Sequence, residues 1–180
     1  MDGLVSYSLP VKGLYNGIHE FVFRVDGEFF SHFEHSPIKT ADIELTLVLE
    51  KHPGMMTMTF DFSGTIDTEC DRCLAPIHLP IEDHQVVLVK YSEEEEQEDA
   101  DVIFIHPETP QLDVSSFVYE FVVLSIPMIK IYDCEDEDPP VCDIEMLRLL
   151  EQGTETSRRE EKNEENPVWQ KLKDLYRNDK

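Results

Sequence analysis

Two apolar stripes with a period of two set most of what this chain can fold into. Ile43, Leu45, Leu47 and Leu49 alternate with Glu44, Thr46 and Glu50. Met56, Met58, Phe60 and Phe62 repeat the pattern beyond His52-Pro53-Gly54. Successive side chains of a strand point to opposite faces, so this alternation describes half-buried strands, and the Pro-Gly pair between them describes a turn. Together they predict a β-hairpin. Phe21 and Phe23, alternating with Val22 and Arg24, predict another strand. Residues 65–70, 84–91 and 102–106 predict three more, with Gly64 as a bend that separates 65–70 from the hairpin. Pro76 and Pro80 predict a break after Cys73. Residues 26–33 read as a short helix before Pro37.

The clearest helix follows Asp113, a favourable N-cap residue. Val114, Phe117, Val118, Phe121 and Val122 fall at i, i+3, i+4, i+7 and i+8, one apolar face, and Pro127 ends the run. Residues 144–150 predict a second, shorter helix. The fold class is therefore α+β: a mostly antiparallel β-sheet with one clear amphipathic helix and short C-terminal helices. Residues 1–152 form the domain. Residues 153–166 are polar enough to be a linker, because they offer too little apolar surface to offset the entropy of ordering. Residues 167–180 predict a short helix whose stripe, Trp169, Leu172 and Leu175, docks on the domain in the simplest reading.

Charge narrows the range of partners. The 180 residues hold 39 acids against 15 Lys and Arg, a formal net charge of −24. Nucleic-acid phosphates and anionic lipids are bound by clustered cations, so direct DNA, RNA or membrane binding through bulk charge is excluded and basic proteins are favoured. The run 92–101 carries seven carboxylates and predicts a solvated loop. The opening MDGLVSYSLP lacks the positive flank and apolar run of a signal peptide, and no apolar stretch approaches the roughly 20 residues of a membrane helix. A soluble, cytoplasmic protein is expected.

Four cysteines in a reducing compartment suggest a metal site or free thiols before disulfides. Cys70-Asp71-Arg72-Cys73 has the two-residue spacing that places two sulfurs on one Zn²⁺. Cys134 and Cys142 are the candidates to complete a four-thiolate structural zinc site, although seven residues separate them, where two to four are usual. Inert buried thiols, or a metal site emptied in ancestry, explain the same residues equally well. A redox pair is the poorest reading, because no strand–helix unit surrounds residues 70–73. Arg72 is expected to pair with Asp67, Glu69 or Asp71, the alternative being a phosphate or carboxylate contact through its bidentate fork.

The seven His are scattered. His78 is placed to support the Cys pair, and surface or turn roles are expected for the others. The chain has no His-Glu-x-x-His, no Gly-rich phosphate loop, no Gly-x-Ser-x-Gly turn and no EF-hand loop. A non-enzymatic protein is expected.

Cys70-Asp71-Arg72-Cys73-Leu74 followed by a Pro-rich strand resembles the signature of the YceD family, the large ribosomal RNA subunit accumulation proteins (domain of unknown function 177). Leu112-Asp113 opening a helix that closes at Ile126-Pro127 resembles that family's second block. Residues 21–33 resemble its Bacteroidetes form. Asn166-Pro167-Val168-Trp169 with Leu172 is similar to its closing Asp-Pro-Arg-Trp and Leu. The chain departs from the pattern at Tyr132, where relatives carry His or Cys, and at Val168, where they carry Arg. Cys134 lies two positions beyond Tyr132, and Cys142 matches a later family Cys. The resemblance implies a non-catalytic role in synthesis, processing or stability of large-subunit (23S) ribosomal RNA, and no catalytic residues. Set beside the charge, it suggests a large-subunit ribosomal protein or precursor particle as partner, with ribosomal RNA reached indirectly and Arg72 and Trp169 as candidate binding residues. The alternative is a zinc-stabilised acidic protein-interaction module with no ribosomal role.

Overall fold

The computed structural model describes residues 6–93, 102–132, 141–150 and 152. The expected hairpin is its centre. Strand β3 (Ala41–His52) pairs antiparallel with β4 (Met55–Glu69) from His52↔Met55 to Ala41↔Ile66. Pro53 and Gly54 form the two-residue turn, where Gly54 takes φ +87°, a left-handed value that glycine adopts without the usual Cβ penalty. Leu45, Leu47, Leu49, Met56, Met58 and Phe60 are fully buried on one face. Strand β2 (Gly17–Asp26) pairs with β3, and β5 (Pro76–Tyr91) pairs with β4, both antiparallel. Strand β6 (Val102–Ile105) adds to β5 in parallel, giving the order β2-β3-β4-β5-β6. Strand β1 (Ser8–Leu9) forms a separate two-stranded ladder with β7 (Leu112–Asp113).

Two sequence expectations are corrected here. Residues 65–70 are not a separate strand: β4 runs unbroken through Gly64 to Glu69. Gly64 lies so close to β3 that a Cβ on it would sit 2.2 Å from the Asp42 carbonyl oxygen, so the strand bends without being interrupted. Nor do Pro76 and Pro80 break the chain, since both lie within β5, opposite Glu69 and Thr65. Strand β6 reaches only residues 88–91 of β5, so the proline half of β5 has no strand on its far side. Proline is tolerated where the absent N–H would have faced solvent.

Asp26 caps α1 (Gly27–Ser31), its carboxylate accepting from the N–H groups of Glu28 and Phe29 at 3.0 and 3.3 Å, and Phe29 and Phe30 are buried. The main helix, α2 (Ser115–Ser125), begins two residues after Asp113. Asp113 ends β7, and its carboxylate accepts from the Ser115 N–H at 2.9 Å, so it steers the helix start from one place earlier than a regular N-cap. Val114, Val118 and Val122 are buried against the sheet, and Phe121 meets Phe60 edge-on at 5.2 Å. The predicted short helix occupies 144–150 (α3). Asp143 caps it, accepting from the N–H groups of Glu145 and Met146. Met146 and Leu147 pack on the core, while Ile144, Leu149 and Leu150 remain exposed.

The sheet is covered on its α2 side and open on the other. The open face carries Thr46, Val48, Thr57, Thr59 and Val86 among carboxylates. No helix among the described residues is long and apolar enough to cross a membrane. Most of the acidic run 92–101, Cys134, the 153–166 linker and the terminal helix with Trp169 lie outside the described residues.

Candidate functional site

Strand β4 ends at Glu69 and β5 begins at Pro76, so residues 70–75 must reverse the chain. They do so as a tight knuckle. The Cys70 N–H donates to the Ala75 carbonyl at 2.9 Å, and the Leu74 N–H donates to the Cys70 carbonyl at 2.8 Å. Leu74 sits at φ +60°, an uncommon conformation for a non-glycine residue, and its side chain is turned into solvent. Cys70 and Cys73 point the other way and are buried free thiols.

A second segment completes the site. Beyond Pro127 the chain returns past the knuckle, and the Asp71 N–H donates to the Lys130 carbonyl at 2.8 Å. The Lys130 N–H in turn donates to the Asp71 carboxylate at 2.8 Å, and its ammonium lies 3.5 Å from that carboxylate. Burial pushes the Cys70 thiol up, but backbone N–H groups of Tyr132, Cys73 and Arg72 and the Cys73 side chain outweigh it, leaving the thiol lowered to about 7. Donors aimed at sulfur stabilise the thiolate, the form that ligates metal.

Arg72 brings in a third cysteine. Its guanidinium donates to the Cys142 sulfur at 3.7 Å, so the chain just before α3 closes over the knuckle. Two of the three acids expected to pair with Arg72 have other partners: Asp71 lies beside Lys130, and Asp67 meets the ring of His78 at 2.5 Å. That contact also draws His78 away from the expected support of the Cys pair. Cys142 is disulfide-bonded, so its sulfur is not available as a thiolate in this state. Cys134 lies outside the described residues. Of the four predicted ligands, Cys70 and Cys73 supply a half-site that suits Zn²⁺, while Cys142 reaches the knuckle only through Arg72. No cluster of three or more metal-ligating side chains forms among the described residues.

Sequence reasoning missed Lys130, and it named Tyr132 only as a departure from the family pattern. The contacts of both with the knuckle arise from pairing across about sixty residues, which local spacing does not reveal. A shallow cleft of about 550 Å³ on the open sheet face is lined by Glu44, Thr46, Asp61, Ser63, Glu82, Asp83 and His84. Its histidine is tied to Asp61.

The arrangement defines a class: an α+β domain, its antiparallel sheet covered on one side, with a Cys-x-x-Cys knuckle clamped by the segment that follows its main helix. The chain matches the family model described as large ribosomal RNA subunit accumulation protein YceD over residues 58–176, and it belongs to that family. The match takes in the knuckle, α2, α3 and most of the terminal segment. No curated protein and no solved structure matches the chain.

Proposed function

We propose that this chain is a non-catalytic factor supporting accumulation of large-subunit ribosomal RNA, and that it acts by holding a basic ribosomal protein or a basic assembly factor. The family match carries the ribosomal part of the reading. The charge of −24 carries the choice of a protein as direct partner, since such a surface repels phosphate and attracts Lys- and Arg-rich chains. The acidic runs 92–101 and 133–138 are the proposed face, substituting for RNA phosphates. A non-catalytic role accords with the knuckle, where the sulfurs are buried and serve to join two segments.

Zinc is proposed as a structural element, held by Cys70, Cys73, Cys134 and Cys142 when all four are reduced. Bound there, it would supply a cross-link between the knuckle and the segment after α2, with no open position for substrate. The cytoplasm, a reducing compartment, suits that state.

The test is affinity purification of the tagged protein at low salt, with and without ribonuclease. Large-subunit proteins retained after ribonuclease support the reading. Large-subunit RNA and proteins lost together on ribonuclease treatment would replace it with direct RNA contact. A list free of ribosomal components would leave the zinc-stabilised interaction module as the better description.

A further inference from the structure

Apolar side chains on the knuckle and on the segments bonded to it are left in water. Leu74 is 60 % exposed, Met128 99 %, Ile129 67 %, Ile131 49 %, Val141 43 % and Ile144 48 %. They form one neighbourhood because the bonds above bind their segments together. Ile129 and Ile131 flank Lys130, which is bonded to Asp71. Val141 precedes Cys142, which Arg72 contacts, and Leu74 follows Cys73. A helix that is apolar on both faces, as α3 is, ordinarily has a second covering layer. Exposed apolar side chains gathered on neighbouring segments mark a docking surface.

We infer that the chain's own segment 167–177 covers this patch. Three observations select that occupant. Trp169, Leu172 and Leu175 give it an apolar stripe at helical spacing. Lys171, Lys173 and Arg177 against Asp174 give it a charge of +2, whereas the stretch of sequence 133–151, which contains Val141 and Ile144, holds eight acids and one base, a charge of −7. Finally, the tether starts at the patch itself. The polar stretch 153–166 follows α3 in the sequence, and a random-coil segment of fourteen residues would span roughly 20 Å. At that range the tail is present at an effective concentration in the millimolar range. The family match runs from residue 58 to residue 176 and so takes in both the patch and the tail. This inference does not rest on the ribosomal reading.

Trp169 is the single tryptophan of the chain, so its fluorescence reports the tail alone. The experiment uses the full-length protein and acrylamide, a neutral quencher that the acidic surface does not repel. Quenching several-fold weaker than in denaturant is expected. The double substitution Met128→Ser/Ile129→Ser, at exposed positions, should raise quenching several-fold and shift emission to the red. Lys171→Glu/Lys173→Glu, which alters no residue of the patch, should do the same. Ile18→Ser/Val22→Ser, on the exposed edge strand, should change nothing. Native quenching equal to that in denaturant overturns the inference. So does protection unaffected by both the patch and the tail substitutions, which places the tail elsewhere. Protection lost on dilution assigns the patch to a second copy and also overturns it.

Discussion

Asp71 and Lys130 hold each other by two backbone N–H groups: Asp71 donates to the Lys130 carbonyl, and Lys130 donates to the Asp71 carboxylate, both at 2.8 Å. The pair is a latch between the turn joining β4 to β5 and the segment leaving α2. Its strength lies in the backbone bonds, because the ammonium–carboxylate contact is long and partly solvated. Asp71→Ala should therefore lower stability by about 1–2 kcal/mol, and Lys130→Ala by less than about 1 kcal/mol. Urea unfolding of both variants checks the order. A larger loss for Lys130→Ala would mean that the ion pair dominates.

Gly64 tests the bend in β4. A Cβ there would lie 2.2 Å from the Asp42 oxygen and 2.6 Å from the Ile43 Cα, both backbone atoms that a rotamer change cannot move. Gly64→Ala should cost about 1–3 kcal/mol, as other overpacking substitutions do. Gly54→Ala meets open space and should cost only its left-handed backbone, about 1 kcal/mol. Equal melting temperatures for the two variants would contradict the close approach.

Tyr7 is stacked on Phe23 at 5.1 Å, and its hydroxyl donates to the Arg24 carbonyl at 3.1 Å. Burial, aided by the charge of Asp26, raises its pKa from 10.0 to about 12. The fold thus favours the neutral phenol. That stabilisation is complete below pH 10 and is lost as pH rises from 10 towards 12. Tyr7→Phe should cost about 1 kcal/mol at neutral pH and lessen the alkaline loss. An unchanged alkaline limb in the variant would assign that limb to other groups.

Metal content tests the knuckle. Purified under reducing conditions, the protein should carry about one Zn²⁺ per chain and give a thiolate spectrum when Co²⁺ is substituted. Cys73→Ser should abolish both. Oxidation should lower the zinc content, because the disulfide at Cys142 removes a ligand. A wild-type protein without metal after reductive purification would show the thiols to be inert packing.

The strands of the hairpin were legible because burial on one face imposes a period of two, and Ile43–Leu49 and Met56–Phe62 keep it with Val48 as the one outward apolar residue. The short helices expected over 26–33 and 144–150 are present, the first only as Gly27–Ser31 with Asp26 as a cap that the sequence reading did not identify. Pro76 and Pro80 misled because their tolerance depends on the absence of a neighbouring strand, a property of the sheet that no local pattern contains. The candidate site was half legible. Cys70 and Cys73 announce themselves by spacing, whereas the clamp from Lys130 and Tyr132 and the contact of Arg72 with Cys142 depend on long-range folding.

The proposed acidic face predicts a salt signature. Replacing the seven acids of 92–101 with Asn and Gln should weaken capture of basic large-subunit proteins and flatten the salt dependence of what remains. Binding measured by surface capture over a salt series checks this, and unchanged affinity would remove the face from the proposal.

The most direct measurement is the ratio of large- to small-subunit ribosomal RNA in cells depleted of the protein, followed after its expression is restored. Membership in the YceD family predicts that the ratio falls on depletion and recovers on restoration, with small-subunit RNA little changed. A ratio that stays constant through depletion would contradict the ribosomal role and leave the fold and its knuckle to another task.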